Sequence, residues 1–309
     1  MSFSINVKNE VINQQFTKLE FISLLSAYIR NNGVINNVSI IINSENEFIT
    51  TFIFESLNSL YDVVPQITVR KKFNFKDSLS YSLEINELKD IILKDLSLMN
   101  EHGFLINIPR VYIYEDEEEK KAYIKGLFFA TGSISNPKTS NYHLEFMIDD
   151  YEYAIFICEL LDTYELNSKI IERKNGYVVY IKESEKISDF LRIIKANKAV
   201  MYFEDIRIYR DHKNMVNRLN NCEQANVEKV INSALKQVEY IKEIEEKIGL
   251  DVLDDKLKDV ALYRLKYPEA SLNELSEIIS VESRKKVTKS GLNHRFRKIK
   301  EIADDINKM

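Results

Sequence analysis

Residues Ile124–Gly132 read I-K-G-L-F-F-A-T-G, and this stretch decides the fold. Gly126 and Ala130 stand four apart, so on a helix both small residues fall on one face. Such a face lets the helix backbone approach a second helix, with Leu127, Phe128 and Phe129 packing around the seam. The partner lies about a hundred residues earlier, where Leu25–Gly33 reads L-S-A-Y-I-R-N-N-G. Ala27 stands there in the place of Gly126, and Gly33 in the place of Gly132. Two such helices packed together form the axis of a duplicated domain.

The flanking elements agree. Residues up to 20 offer a short leading segment. Phe21–Arg30 reads as a helix closed by Asn31-Asn32-Gly33 in the manner of a C-cap. Strand Val38–Ile42, helix Phe48–Leu60, strands Ile67–Val69 and Leu79–Ile85 around a turn near Asp77, and helix Leu88–Met99 follow. The second half repeats that order. Gly103–Tyr114 is strand-like and Glu115–Lys121 reads as a solvated turn. The Ile124–Gly132 helix, strand Tyr142–Ile148, helix Tyr151–Leu161, strands Lys169–Lys174 and Tyr177–Ile181, and helix Ser184–Ile194 complete it. Repeats at about 10–100 and 101–195 are expected, within a domain spanning 1–200.

Beyond Ile194 the character changes. Tyr202–Arg218 mixes aromatic, acidic and basic residues without a clean period, and a linker over 201–221 is expected. Asn220–Ile248 reads as one long helix, with Val227, Ala234, Val238 and Ile241 on its apolar stripe and Gly249 ending it. A domain over 222–309 then contains Leu257–Tyr267, the capping box Ser271-Leu272-Asn273-Glu274 opening Leu272–Ile279, a connection Ser280–Lys289, and a last helix, Gly291–Asp305, capped by Ser290. That is helix-turn-helix order with a long connection.

Charge points the same way. The net charge is −5, yet Val281–Lys300 holds eight Lys or Arg against Glu282 alone. Lys289, Ser290, Asn293, His294, Arg295, Arg297 and Lys298 cluster at the start of the last helix. Arg and Asn suit guanine and adenine edges, and free amides of the first turn suit phosphate. Arg284, Lys285 and Lys286 in the connection, and Arg210, Lys213 and Arg218 in the linker, form a secondary set. The linker asparagines either bridge phosphates or cap the long helix. Arg70-Lys71-Lys72 favours a DNA-facing surface in the first domain, whereas Glu115–Glu119 opposes it. No apolar run approaches a membrane span, and a cytoplasmic protein is expected. Cys158 and Cys222 suggest neither a disulfide nor a metal site, and Cys222 reads as a small buried hydrophobe. His102, His143 and His212 show no ligand spacing.

G-L-F-F-A-T-G resembles the G-L-I-D-A-D-G end of the LAGLIDADG homing-endonuclease signature. In that family the acidic residue before each terminal glycine supplies the metal ligands for phosphodiester cleavage. Those positions are Asn32 and Thr131 here, and neither carries negative charge. The chain as a whole resembles the WhiA family, bacterial regulators that join a degenerate LAGLIDADG-like domain to a C-terminal helix-turn-helix. S-F-S-I-N-V-K-N-E-V from Ser2, Y-I-K-G-L-F-F-A-T-G-S-I from Tyr123 and Y-H-L-E-F from Tyr142 carry the likeness. So do R-D-H-K-N-M-V-N-R-L-N-N-C-E-Q-A-N from Arg210, P-E-A-S-L-N-E-L-S from Pro268 and T-K-S-G-L-N-H-R-F-R-K-I from Thr288.

The resemblance implies an α+β fold, a duplicated LAGLIDADG-like domain of αββαββα type joined to an all-α helix-turn-helix domain. It implies a sequence-specific DNA-binding transcriptional regulator with no enzymatic activity and no cofactor or metal, acting in cell division and chromosome segregation. Double-stranded DNA is the expected partner, with transcription or cell-division proteins beside it and the nucleoid as location. The rival readings are a metal-dependent nuclease with displaced ligands at Asp149 or Asp150, which follow a strand and look misplaced for the seam, and a protein adaptor with weak non-specific DNA affinity.

Overall fold

A computed structural model describes residues 2–71, 79–139 and 141–307 of the chain. Lys72 and the turn expected near Asp77 lie outside the described residues. The described elements are α1 (Phe3–Ile12), α2 (Lys18–Asn32), β1 (Gly33–Ile35), β2 (Ile40–Ser44), α3 (Glu47–Tyr61), β3 (Gln66–Lys71), β4 (Leu79–Ile85) and α4 (Lys89–Asp95). They continue as α5 (Glu117–Thr131), β5 (Gly132–Ile134), β6 (Leu144–Ile148), α6 (Tyr151–Asp162), β7 (Lys169–Arg173), β8 (Gly176–Ile181) and α7 (Ser184–Ile193). The last are α8 (Asn197–Ile248), α9 (Asp255–Lys266), α10 (Leu272–Ser283) and α11 (Lys289–Ile306). Two compact units divide the chain, up to Arg210 and from Asp211 onward, so the division falls inside α8.

In the first unit, αββαββα is written twice, from α2 to α4 and from α5 to α7. The class is α+β, as expected. The two sheets share one antiparallel order, β1-β2-β4-β3 and β5-β6-β8-β7. Register follows side-chain alternation. Ile40 pairs with Ile85 and Ile42 with Leu83, all buried, whereas Ile41 and Glu84 face outward. Leu144 with Ile181 and Phe146 with Val179 repeat the inward pairing in the second sheet.

Between the repeats α2 and α5 make the most extensive element contact in the fold. A Cβ at Gly126 would stand 2.1 Å from the Leu24 carbonyl oxygen, so the two backbones touch. Ala27 is fully buried and Ala130 packs at the edge of the same core. The polar groups beside the seam find partners: Asn31 Nδ2 donates to the Tyr153 hydroxyl at 3.0 Å, and Tyr153 and Tyr123 share a 2.7 Å hydrogen bond. Arg30 donates to the carbonyls of Ser97, Ile106 and Asn107, which pins the connection between repeats along α2.

Several elements differ from expectation. The leading segment is a helix, α1, with Val7 and Val11 in the core and Ser2 as its cap. Gly33 and Gly132 are extended, at φ −93° and −71°, and begin β1 and β5 rather than closing helices in a left-handed turn. Their lack of a Cβ serves space instead: one at Gly132 would meet Phe128 Cδ2 at 2.2 Å. Most of the run expected as a solvated turn, Glu115–Lys121, belongs to the first turns of α5, which Asp116 caps. Gly103–Tyr114 contains one isolated bridge, Met99 to Leu105, and a short 3-10 turn rather than strands. The expected linker is helical, because Phe203 buries against Phe3 and Tyr142 and carries α8 back to Asn197.

Two lysines of this unit are drawn out of solvent, Lys8 half-buried and Lys125 fully buried. Lys8 donates to the Phe129 carbonyl at 3.2 Å, and burial pulls its ammonium down to about 8. Lys125, only 2% exposed, sits 5.0 Å over the Phe16 ring, and burial chiefly, with Lys195 adding repulsion, brings it to about 8 as well.

Gly126→Ala is expected to lower the unfolding free energy by about 3 kcal/mol in urea titrations, since neither backbone can yield. Gly291→Ala, whose Cβ would meet Thr288 Oγ1 at 3.3 Å, should change it by less than about 1 kcal/mol. Equal effects would remove the close approach as the controlling constraint. Lys125 carries a folded value near 8 against the ordinary 10.5, so its protonated form costs stability below pH 8 and the cost fades toward pH 10.5. Lys125→Met should therefore raise stability at neutral pH by on the order of 2 kcal/mol, with the gain shrinking across that alkaline window.

Candidate nucleic-acid interface

The second unit folds around a core in which Leu257, Leu275, Leu292 and Phe296 come from three successive helices. One cation organises it. Arg264, 1% exposed, donates from Nε to Gln237 Oε1 at 3.0 Å and from Nη1 to the carbonyls of Tyr267 and Ala270 at 3.2 and 2.6 Å. Its guanidinium also stacks 5.2 Å over the Phe296 ring. One planar fork thus ties α8, α9, the bend after α9 and α11 together. Burial draws it down to about 10, which leaves it protonated at neutral pH.

Helix α10 opens on the expected capping box, with Ser271 and Glu274 satisfying each other's amides. It runs four residues further than expected, to Ser283, where Ser280 Oγ accepts from the Val287 amide at 3.0 Å and draws the turn closed. Arg284 adopts the left-handed conformation at φ 54°, and Thr288, rather than Ser290, caps α11 by accepting from the Gly291 amide. The connection therefore shrinks to 284–288, close to helix-turn-helix length.

At about 100° per residue, the buried positions Leu292, Phe296, Ile299 and Ala303 define one side of α11. Ser290, His294 and Arg297 lie opposite, with Lys298 beside them, and all four are exposed. His294 Nδ1 and Arg297 Nη2 are 3.3 Å apart. Asn293 and Lys300 occupy the flank toward α8, where both line a groove. Arg295 projects from the other flank and is half-buried, apart from Arg297. Lys289 begins the helix, and Arg284, Lys285 and Lys286 stand exposed in the turn. Of the secondary set, Lys213 and Arg218 are exposed on the middle of α8, as is Cys222, which is not the buried residue expected. Arg210 instead donates to the carbonyls of Pro137 and Thr139 at 2.9 and 2.6 Å and stacks over Tyr142.

Asn32 and Thr131, the positions that the resemblance matches to acids of the homing-endonuclease signature, sit at the ends of the seam helices. Asn32 Nδ2 donates to the Asn43 carbonyl at 2.7 Å and to the Tyr28 hydroxyl, and the Thr131 hydroxyl donates to the Leu127 carbonyl. Thr131 borders a cleft of about 420 Å³ that Arg30, Gly33, Asp149 and Asp150 also line. Asp149 and Asp150 are thus beside the seam, contrary to expectation, because β6 delivers its last residue there. Asp150 spends one oxygen capping α6 and the other on Asn107, while Asp149 is exposed. No group of three or more His, Cys, Asp or Glu suited to a metal ion occurs among the described residues.

A duplicated LAGLIDADG-like α+β unit followed by a helix-turn-helix unit is the class these two halves define. Three family models match in succession: the WhiA N-terminal LAGLIDADG-like domain over residues 20–99, the WhiA LAGLIDADG-like domain over 120–213, and the WhiA C-terminal HTH domain over 216–303. The probable cell division protein WhiA of Bacillus mycoides (strain KBAB4) is 43% identical over 311 residues, covering 99% of this chain and 97% of that protein. The crystal structure of full-length DUF199/WhiA from Thermatoga maritima superposes with a TM-score of 0.59 at 26% identity, over 99% of each chain. The structure of the N-terminal LAGLIDADG domain of DUF199/WhiA gives 0.51 at 24% identity, over 63% of this chain and 90% of that one. The chain belongs to the WhiA family.

Sequence reasoning missed Arg264 and the residues of α8 that face α11. Arg264 sits in an ordinary amphipathic pattern, and only the bend at Pro268 hinted that carbonyls would need a donor nearby. Arg264→Lys keeps the charge and loses the fork. It is expected to cost about 2 kcal/mol in urea unfolding of the full chain, and Arg264→Met about 3 kcal/mol, as buried carbonyls lose their donor. A wild-type-like midpoint for both would demote the guanidinium from its organising place.

Proposed function

We propose that the chain is a sequence-specific DNA-binding transcriptional regulator without nuclease activity, acting in bacterial cell division and chromosome segregation at the nucleoid. The observation that carries this reading is the solvent-facing side of α11. Ser290, His294, Arg297 and Lys298 stand together there on a helix held rigidly from behind by Phe296 and Arg264. Their donors suit base edges and phosphate oxygens of a major groove. The family name attached to relatives, probable cell division protein, supports the physiological part. Transcription or cell-division proteins are the further partners of this reading.

The absence of cleavage rests on chemistry at the seam. Asn32 and Thr131 offer no carboxylate, and their polar groups already bond to their own fold. Asp149, exposed in the same cleft, favours the nuclease as second reading, but one uncommitted carboxylate is a weak seat for a divalent cation.

Binding of the full chain to genomic and scrambled duplexes, titrated with salt and with or without Mg²⁺, tests both. Discrimination between duplexes with a steep salt dependence is expected, and no nicking. Arg297→Ala should weaken binding to the preferred duplex by about 1–3 kcal/mol if it contacts a base, and Arg295→Ala by less. Equal binding to all duplexes would favour the adaptor reading. Mg²⁺-dependent nicking lost in Asp149→Ala would overturn the non-enzymatic one.

A further inference from the structure

Helix α8 does more than precede the helix-turn-helix. Its face bearing Ser233, Lys236 and Tyr240 lies alongside α11, and the two enclose an open groove of about 500 Å³. The opposite wall is Asn293, Arg297 and Lys300, with Lys300 Nζ 5.9 Å from the Tyr240 ring centroid. Ser233 and Gln237 also line a second groove of about 250 Å³, against Asn273 at the start of α10 and Lys289 at the start of α11. The two hollows therefore form one trough along α8, passing the first turns of both helix-turn-helix helices.

Cations, hydroxyls and amides line the larger hollow beside Phe296, apolar residues such as Val230 and Leu272 join them in the smaller one, and no carboxylate lines either. Glu301 lies 3.8 Å from Arg297 Nε. Lys236 has no hydrogen bond or ion pair among the described residues and is exposed. Surface lysines elsewhere in the chain, such as Lys121 and Lys195, pair with Glu118. Cations with hydroxyl and amide donors, in an open trough whose larger hollow is mostly polar, suit an extended polyanion better than an enclosed small molecule.

We propose that this trough is a phosphate cleft that seats one strand of the DNA backbone beside α11, with Lys236 of α8 as its central contact and Ser233, Tyr240 and Lys300 around it. It rests on the DNA-binding reading and adds a second wall to it. The α8 wall sets the register of α11 on the duplex through phosphates and reads no bases.

The test is the affinity of the full-length protein for a preferred and a random-sequence duplex across a potassium chloride series. Lys236→Ala should make the slope of log affinity against log salt about 0.9 shallower, one phosphate contact's worth, and weaken both duplexes by the same factor. Lys242→Ala, an exposed lysine of α8 outside the trough, should leave slope and affinity as in wild type. Lys236→Gln, which keeps the length of the side chain, should behave as Lys236→Ala does, and matched thermal melts separate a lost contact from a lost fold. If the wild-type protein shows no salt-dependent duplex binding, the DNA reading itself fails. If it binds and Arg297→Ala weakens it while both Lys236 variants keep the wild-type slope, the cleft alone is overturned. A loss confined to the preferred duplex would also overturn it, because Lys236 would then be reading bases.

Discussion

The contact between the Gly126 backbone and the Leu24 carbonyl is the constraint on which the first unit depends. Where two helices touch at the backbone, no side chain fits between them, so large residues must leave sideways. Phe128 goes toward Phe146 and Phe190 on one flank, and Phe129 toward Phe52 on the other. Phe146 belongs to β6 and Phe52 to α3, so the seam anchors a strand on one flank and a helix on the other. Polar atoms along the seam must find partners inside it, which is why Asn31, Tyr123 and Tyr153 bond to one another. Arg30 extends the effect outward by fixing the connection between repeats.

The same geometry separates packing from chemistry. The residue that lets the helices approach, Gly126, differs from those that end them, Asn32 and Thr131. Replacing a carboxylate at a helix end leaves the seam untouched, and Asn32 even gains a bond to the neighbouring strand through Asn43. A fold built in this way can lose a metal site at little structural cost, since buried acids pressed together would repel without their cation. Uncharged helix ends at Asn32 and Thr131 and an intact seam are therefore compatible outcomes of one arrangement.

Much of this was legible in the amino-acid order, and the lapses have physical causes. The duplication could be read because Gly126 and Gly132 have counterparts at Ala27 and Gly33 one repeat earlier. The three-residue strands β1 and β5 could not, since a strand that short has no periodicity to show. The glycines that open them looked like left-handed caps because spacing does not distinguish a glycine needed for φ from one needed for room. Only the part of α8 from Asn220 was legible as helix, because Tyr202–Arg218 mixes aromatic, acidic and basic residues without a clean period. The helix-turn-helix connection looked too long because Val281 and Ser283 carry no helical signal. The hydrogen bonds of Ser280 to the Ser276 and Val287 backbones, which hold that turn, exist only once the chain has folded.

What sequence alone could least distinguish is the purpose of each cation. Arg30, Arg210 and Arg264 all direct their donors at backbone carbonyls that lie beyond the reach of a helix or sheet partner. In each case a planar fork satisfies two or more acceptors at once, which a flexible ammonium does poorly. These arginines hold bends in place. The cations of α11 and Lys236 of α8 have the opposite status, with donors turned to solvent and, apart from Arg297 at 3.8 Å from Glu301, no ion pair among the described residues. Charged groups left unpaired on one side of a domain repel one another and are stabilised when an anion arrives. A net charge of −5 hides that imbalance, because the acids are spent elsewhere, as at Glu118 with Lys121 and Lys195. The local surplus, rather than the total, is what a polyanion would meet.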